Sequence, residues 1–386
     1  MKKNYDAAQL KRIDARLKSF IDRQELPGAA LSITYEGEEI LCSFHGMADI
    51  GKNVPIGRDT LYRVYSMSKV ITVISALILY ERGMYKMHDP ISKYIPQFES
   101  PMVFEADGST RKAKREIRIR DLFTMTSGIT YPGDDNPTAR GYNKALEACS
   151  DAPTMRELME RCARVPLLFD PGERWQYGYS LDVIGVLVEV LSGMTLGAFM
   201  RKELFDPLGM VDASFYISEA QRPRLARVYS YYNKPFVLSD ADADPMFNGN
   251  TTFEMGGGGL VMTLADYKRI TDLLVNSGTL DGVRILSRKT VDLMASPHLT
   301  DAQQLTHDWE TQRGYNYGLG VRVLTDPALA GFNGSVGEFG WDGMAGTYMM
   351  VDRKEQLSMV FMTQITPGMH YVFPPILLQM ANAICQ

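Results

Sequence analysis

Residues 65–83 read YSMSKVITVISALILYERG, an apolar run that opens with two serines and a lysine. The run after Lys69 is apolar at most positions, which predicts a helix buried in the centre of the molecule. Thr72 and Ser75 interrupt it, and it falls short of the ~18 apolar residues that indicate a membrane span. Ser66 and Lys69 are three residues apart, so a helix would place the hydroxyl and the amine on one face, where they can touch.

Serine and lysine at this spacing can form a nucleophile that needs no histidine. A serine hydroxyl is a weak nucleophile until a neighbouring base takes its proton, and an amine held in apolar surroundings can be that base. The amino-terminal end of the helix also favours negative charge as it develops on Ser66. A serine that caps the start of a helix, followed by a solvent-exposed lysine, would give the same sequence pattern. The pair therefore indicates catalysis only if further motifs accompany it.

Composition and charge exclude several classes of protein. The 386 residues are 45% hydrophobic and 23% charged, which is typical of a soluble globular chain with a large core. A net charge of −5 predicts no nucleic-acid partner.

The basic stretch 111–120, RKAKREIRIR, is predicted to be an exposed hairpin, with Ile117 and Ile119 alternating along a strand edge. The stretch 1–24 has helical spacing and lacks the apolar core of a signal peptide, so we expect a cytoplasmic protein without a membrane anchor.

Neither a metal nor an organic cofactor is predicted. The four cysteines and five histidines lack the spacings of a metal site. The acidic stretch DADAD, residues 240–244, begins like a calcium loop, but Pro245 stands where that loop needs glycine. Gly256 to Gly259 form a glycine run without a nucleotide-binding pattern around it. The run predicts a close approach of the backbone to another backbone or to a ligand.

Strand patterns lie near both ends of the chain. Residues 28–46 alternate along two strands around a Glu-Gly-Glu turn, which predicts a β-hairpin. Three stretches near the carboxyl end also read as strands, namely 317–324, 345–352 and 357–364. Pro374 and Pro375 open a last amphipathic helix.

Helical patterns occupy the middle of the sequence, at 154–165, 180–193 and 264–278. We therefore predict an α+β fold in which an antiparallel sheet from both termini is flanked by helices and a mainly helical domain is inserted. The predicted boundaries assign residues 1–60 and 260–386 to the α/β sheet domain and residues 61–259 to the helical domain. The active site is expected in the cleft between them.

A series of motifs accompanies the serine and lysine in a recognisable order. Over roughly residues 25–365 the chain resembles the serine β-lactamase-like superfamily, which includes class C β-lactamases, penicillin-binding D-alanyl peptidases, family VIII carboxylesterases and lovastatin-type acyltransferases. The landmarks are LPGAALSI, YRVYSMSKVIT, IRIRDLFTMTSGI, PGERWQYGYS, GGGGLVMTLADYKR and WDGMAGT. The resemblance implies a β-lactamase/DD-peptidase-like fold.

The resemblance also implies roles for particular residues. Ser66 and Lys69 match the S-x-x-K pair, and Tyr177 matches the tyrosine of the Tyr-x-Asn element. In that reading Ser66 attacks an acyl carbonyl, while Tyr177 and Lys69 pass its proton to the leaving group. Which of the two is the base stays open. The backbone N–H groups of Ser66 and Met344 would form the oxyanion hole.

Two departures from the family pattern bear on the substrate. Trp341-Asp342-Gly343 stands at the Lys-Thr-Gly element, so Trp341 replaces the cation that would face a substrate carboxylate. Tyr179 replaces the asparagine that would hold an amide. We expect these four residues to contact the substrate, with an aromatic wall that suits uncharged acyl groups. A purely structural role for Trp341 is the open alternative.

The predicted function is that of a serine hydrolase that cleaves small uncharged esters through a Ser66 acyl-enzyme. Acyl transfer to a small-molecule acceptor would use the same residues. β-Lactamase or D-aminopeptidase activity is a third interpretation, and a catalytically inactive binding module is a fourth. The partner is a small molecule in the enzymatic readings, and the oligomeric state stays open.

Overall fold

The computed structural model describes residues 5–150, 152–247 and 252–385. These residues form twelve α-helices and sixteen β-strands. The helices, α1 to α12 in chain order, are Ala7–Asp22, Ser68–Glu81, Ile119–Phe123, Pro137–Glu147, Met155–Cys162, Ser180–Ser192, Leu196–Met200, Leu264–Val275, Arg288–Met294, Asp301–Gln304, Pro327–Ala330 and Phe373–Asn382. The strands, β1 to β16, are Gly28–Tyr35, Glu38–Asp49, Val54–Pro55, Leu61–Arg63, Met102–Phe104, Thr110–Lys112, Tyr229–Ser230, Val261–Thr263, Thr279–Leu280, Val283–Arg284, Tyr315–Tyr317, Arg322–Leu324, Phe339–Gly343, Thr347–Asp352, Leu357–Thr363 and Ile365–Thr366.

Eight strands form one antiparallel sheet that joins the two ends of the chain. Their order is β11-β12-β13-β14-β15-β1-β2-β3, so β1 from the amino end pairs directly with β15 from the carboxyl end. The predicted hairpin is β1 and β2, and its turn residues Glu36 and Gly37 have φ of 48° and 77°. Positive φ at both central residues matches the twist of the strands that the turn joins. The predicted α+β class is confirmed.

Each face of the sheet is covered by helices. Along β14, Tyr348 and Met350 belong to the core that includes residues of α1 and α12. Met349 and Val351 belong to the other core, with α2, α6 and α8. Side chains alternate between faces along a strand, so one strand contributes to both cores.

Helix α2 lies in the centre of the larger core, as its sequence predicts. Every residue from Ser68 to Leu79 is buried, and the helix packs against α6. A helix that is apolar all round needs neighbours on every side. The short 3₁₀ turn Tyr65–Met67 leads into it and holds Ser66 at the surface of this core.

Two details of the predicted elements are wrong. Ile117 and Ile119 are fully buried, and Ile119 begins α3 rather than lying on an exposed strand edge. The stretch 317–324 is two strands, β11 and β12, because Gly318 to Gly320 turn the chain: Gly320 has φ of 71° and the Gly318 N–H donates to Val321 O at 2.7 Å.

The predicted domain boundaries fall beside a small two-stranded sheet. β4 and β8 pair antiparallel and so bring together the two ends of the segment 61–259. The division into two domains stays a prediction. Residues 1–4 of the predicted amino-terminal stretch lie outside the described residues, and the rest of it contains α1.

Within the described ranges, no single helix is long and apolar enough to cross a membrane. The helical segments Ser180–Ser192 and Leu196–Phe205 have the length and apolar composition of a membrane span only when they are taken together, and the pair is bent by 75°.

Candidate active site

Ser66 lies in a turn with unusual backbone geometry. Tyr65, the residue before it, has φ of 42°, a left-handed conformation that few non-glycine residues adopt. The Tyr65 ring packs edge-on against Phe247 at 5.3 Å between ring centroids. Backbone strain of this kind is concentrated at functional sites. The Ser66 side chain is half-buried, whereas the lysine one turn later is completely buried.

The Lys69 amine is held by three oxygen atoms. It lies 3.1 Å from Ser66 Oγ, 2.9 Å from Tyr131 Oη and 2.6 Å from the Gly257 carbonyl oxygen. An ammonium group has three protons, so these partners can satisfy it fully. The carbonyl can only accept, but the two hydroxyls can donate or accept. The amine can therefore act as donor to Ser66 or as acceptor of its proton without moving.

The glycine run connects Lys69 to a buried carboxylate. The Gly257 N–H donates to Asp182 Oδ1 at 2.7 Å, and the carbonyl of the same residue accepts from Lys69. A Cβ atom at Gly257 would lie 2.5 Å from Asp182 Oδ2, so any larger residue would displace the run or the carboxyl group. The run was predicted to approach another backbone or a ligand, whereas at Gly257 it approaches the side chains of Asp182 and Lys69.

Asp182 is a buried carboxyl that interacts electrostatically with Lys69. Burial raises the pKa of its carboxyl to about 6, and the charge of Lys69 acts in the opposite direction. Oδ2 has no hydrogen-bond partner among the described residues. Sequence analysis missed Asp182, because an aspartate two residues into an apolar helix reads as an ordinary first-turn acid.

Tyr177 contacts the lysine through its ring. The Lys69 amine lies 4.7 Å from the Tyr177 ring centroid, and Tyr177 Oη accepts a hydrogen bond from Trp341 Nε1 at 3.3 Å. In the described part of the chain, no hydrogen bond joins Tyr177 Oη to Ser66 or Lys69. Catalytic hydrogen bonds are often long before a substrate binds. The role of Tyr177 in proton transfer stays a prediction.

Tyr131 is the tyrosine whose hydroxyl contacts the lysine directly, and it was not among the predicted site residues. It lies in a loop that follows α3, two residues after the end of the landmark IRIRDLFTMTSGI. Its ring packs on Tyr177 and Tyr179, at 5.6 and 4.9 Å between centroids. Burial raises the pKa of Tyr131 well above its usual value, which keeps the phenol protonated.

The third motif lies on β13 and its side chains separate onto the two faces of the sheet. Trp341 is buried and packs against Tyr177 and Tyr317, at 5.7 and 5.3 Å between ring centroids. Asp342 turns to the opposite face, where its Oδ2 lies 3.3 Å from Arg322 Nη1. Tyr179 is also buried, beside Tyr131. The predicted substrate contacts of Tyr179, Trp341, Asp342 and Gly343 stay predictions.

The two predicted oxyanion donors lie on neighbouring segments. A Cβ atom at Gly343 would collide with the carbonyl oxygen of Val64, two residues before Ser66. Met344 follows at the end of β13 with its side chain about half exposed. Within the described residues, neither the Ser66 N–H nor the Met344 N–H donates to another protein group. Both donors are therefore free for a ligand.

Two tryptophan rings pack against Tyr177 in addition to Trp341. The Trp175 and Trp309 rings lie 6.1 and 5.1 Å from the Tyr177 ring centroid. His307 packs edge-on against Trp175 at 4.7 Å, and burial lowers the pKa of His307 to about 4. This neutral imidazole supports the aromatic packing. The parts of the chain that the structure describes contain no group of three or more side chains suited to a metal ion.

Comparisons with known proteins identify the family of the chain. The model of the Beta-lactamase family matches residues 13–377, and the chain belongs to that family. Protein Rv1367c of Mycobacterium tuberculosis is 32% identical over 92% of this chain and 90% of its own. Esterase EstB of Burkholderia gladioli is 28% identical over 93% of this chain and 91% of its own. The solved structure of EstCE1, a hydrolase with promiscuous acyltransferase activity, has a TM-score of 0.83 at 24% identity and covers 98% of this chain and 99% of its own. The family resemblance predicted from the motifs is confirmed.

Proposed function

We propose that this protein is a serine hydrolase that cleaves small uncharged carboxylic esters through an acyl-enzyme on Ser66. The observation that carries the proposal is the Ser66 hydroxyl 3.1 Å from a completely buried lysine amine. A nucleophile and its base must lie within hydrogen-bond reach of each other. The similarity to esterase EstB supports ester hydrolysis.

The proposed reaction has two halves. Ser66 Oγ attacks the ester carbonyl carbon as its proton passes to Lys69, and the Ser66 and Met344 N–H groups stabilise the negative charge on the carbonyl oxygen. The bond to the leaving alcohol then breaks, and the alcohol takes the proton. Tyr177 and Tyr131 are the hydroxyls that can relay this proton. In the second half, water loses a proton to Lys69 and attacks the acyl carbon. The bond from this carbon to Ser66 Oγ then breaks, Oγ takes back the proton, and the free acid leaves.

The proposed substrate class follows from the charges that are present near Ser66. Lys69 is engaged by Ser66, Tyr131 and Gly257, which leaves it unsuited to bind a substrate carboxylate. Trp341 stands where the family pattern has a second lysine, and it carries no charge. A substrate carboxylate would lose water without gaining a cation, which costs free energy. Uncharged esters avoid this cost.

The test compares hydrolysis of p-nitrophenyl butyrate and of a chromogenic cephalosporin by the wild type, Ser66→Ala and Ser92→Ala. Ser92 is the control, because its hydroxyl donates to Glu116 instead of contacting Lys69. We expect Ser66→Ala to lower kcat/KM for the ester by at least about 10³-fold, with Ser92→Ala unchanged. Full ester turnover by Ser66→Ala would overturn the proposal, and faster turnover of the cephalosporin than of the ester would reassign the substrate class.

Acyl transfer is the second candidate, and the transferase activity described for EstCE1 favours it. Here an alcohol or amine replaces water in the second half of the reaction. Adding short alcohols to the ester assay should then yield a new ester alongside the free acid. If only the free acid forms at every alcohol concentration, transfer is excluded for those acceptors.

A further inference from the structure

His370 contacts the peptide group that carries the proposed oxyanion donor. Its Nε2 atom lies 2.9 Å from the Gly343 carbonyl oxygen. A carbonyl oxygen only accepts, so Nε2 carries a proton in this contact. The Gly343 C=O and the Met344 N–H belong to one peptide unit. A hydrogen bond at one end of this unit therefore acts directly on the donor at the other end.

The loop that carries His370 is fitted closely to this peptide. A Cβ atom at Gly368 would lie 2.6 Å from the Met344 carbonyl oxygen and 2.7 Å from the Gly346 backbone nitrogen. Met369 has φ of 51° in the left-handed region and is buried, which directs the next residue back toward β13. Only glycine at 368 permits this approach, and it brings the imidazole within hydrogen-bond distance.

We propose that His370 is a positioning residue for ester cleavage, one that fixes the plane of the Gly343–Met344 peptide and strengthens its N–H as a donor to the oxyanion. The Gly343 oxygen also accepts from the Gly346 N–H at 2.8 Å, so two donors hold it from different directions. Hydrogen bonds in series polarise one another, and an amide whose oxygen is bound donates more strongly. Preorganised donors of this kind stabilise the charge that develops in the transition state.

The charges around His370 keep the imidazole in place. Asp342 Oδ1 lies 3.8 Å from Nε2, and the same carboxylate is paired with Arg322. His370, Asp342 and Arg322 line one wall of a cavity of about 420 Å³ on the face of the sheet away from Lys69. The cavity is large enough to admit a free imidazole molecule next to residue 370. This inference rests on the proposed function, because it assigns His370 a part in the same reaction.

The experiment compares His370→Ala with His370→Gln, whose amide can donate to the same carbonyl. Exposed His88 supplies the control variant His88→Ala. For p-nitrophenyl butyrate we expect His370→Ala to lower kcat about ten- to thirtyfold with KM unchanged, a fraction of the effect of losing a whole oxyanion donor. Binding of butaneboronic acid, which forms a tetrahedral adduct on serine, should weaken by the same factor. His370→Gln and added imidazole should each restore most of the rate.

Three outcomes would overturn the inference: wild-type kcat in His370→Ala, an equal fall in His370→Gln, or a raised KM with unchanged kcat. If His370→Ala does not fold, His370→Leu, which keeps volume without a donor, replaces it in the same comparison. Failure of the inference about His370 can be distinguished from failure of the proposed function. An inactive Ser66→Ala together with a fully active His370→Ala would reject only the role of His370, whereas an active Ser66→Ala would reject both.

Discussion

Lys69 is the residue whose surroundings define the site. A fully buried amine needs polar partners whether or not it carries the transferred proton, and here three oxygens, two tyrosine rings and Asp182 surround it. Two of the three oxygens belong to hydroxyls that can exchange protons with the amine. The arrangement therefore serves proton transfer as well as stability.

Replacing Tyr131 by phenylalanine tests whether its hydroxyl takes part in this transfer. The change removes the 2.9 Å contact with Lys69 and keeps the ring that packs on Tyr179. We expect kcat for an ester to fall about ten- to a hundredfold, as for the loss of one hydrogen bond to a charged group. Tyr142→Phe is the matched control, since Tyr142 is a buried neighbour of Tyr179. Equal rates in the two variants would show that the Tyr131 hydroxyl is not needed.

Local spacing predicts the contact between Ser66 and Lys69, but not the contacts that Lys69 makes with residues far away in the sequence. Ser66 and Lys69 are neighbours on one helical face, so their spacing predicts their contact. Tyr131 and Gly257 reach the same amine from positions 62 and 188 residues further along the chain. Nothing in the local pattern of a loop tyrosine indicates which buried group it will contact.

At the scale of elements, the glycine run is as important to the site as α2 is. It passes between α2 and α6, and its backbone bonds to Lys69 on one side and to Asp182 on the other. The run was predicted to make a close approach, but the two partners were not predicted. A backbone in this position can transmit a displacement of either helix to the amine.

Alanine scanning of the run gives a prediction with an internal control. Gly257→Ala places a methyl group 2.5 Å from Asp182 Oδ2, whereas the nearest atom to a Cβ at Gly258 is 3.6 Å away. We expect Gly257→Ala to lower kcat/KM about a hundredfold, because a displacement of about 1 Å in a catalytic group costs that much. Gly258→Ala should stay within about threefold of the wild type. Similar losses in both variants would contradict this account of the run.

Strand β13 carries the third motif, yet its sequence does not read as a strand. FGWDG contains two glycines and an aspartate, which are depleted in strands. The glycines are required by close packing, since a Cβ atom at Gly343 would collide with Val64.

Burial also explains why the predicted strand edge at residues 117–119 is wrong. Ile117 and Ile119 are both core residues, whereas an exposed strand edge requires one exposed face.

At the scale of the whole molecule, the sheet joins the two ends of the chain and separates two cores. This much was predicted, because strand patterns at both termini and helical patterns between them leave few other α+β arrangements. The polar groups that are buried on the sheet face opposite Lys69 were not predicted. Arg322, Glu338 and Asp352 lie there with almost no exposed surface, close to Tyr315 and Asn382.

Glu338 makes the stability of the fold depend on pH. Burial raises the pKa of its carboxyl to about 8, while Arg322 opposes this change only in part. Between the ordinary glutamate pKa and pH 8, the folded state holds a proton that the unfolded state has released. Stability attributable to this group is therefore lost as pH rises through that window.

Glu338→Gln removes this dependence. Relative to the wild type, we expect the variant to gain stability in urea as pH rises from 5 to 8.5, with the gain levelling off near the folded pKa. Exposed Glu310→Gln is the control and should follow the wild-type curve. Parallel curves for the wild type and Glu338→Gln would show that the carboxyl is not protonated in the folded protein at neutral pH.

Labelling of the nucleophile tests the central claim most directly. The protein is treated with a p-nitrophenyl alkylphosphonate, which transfers its phosphonyl group to an activated serine, and intact mass and peptide mapping locate the adduct. We expect one adduct per chain, on Ser66, that is absent from Ser66→Ala and forms more slowly in Tyr131→Phe. No adduct, or an adduct on another residue, would contradict the central claim and favour a binding module that retains the fold without the chemistry.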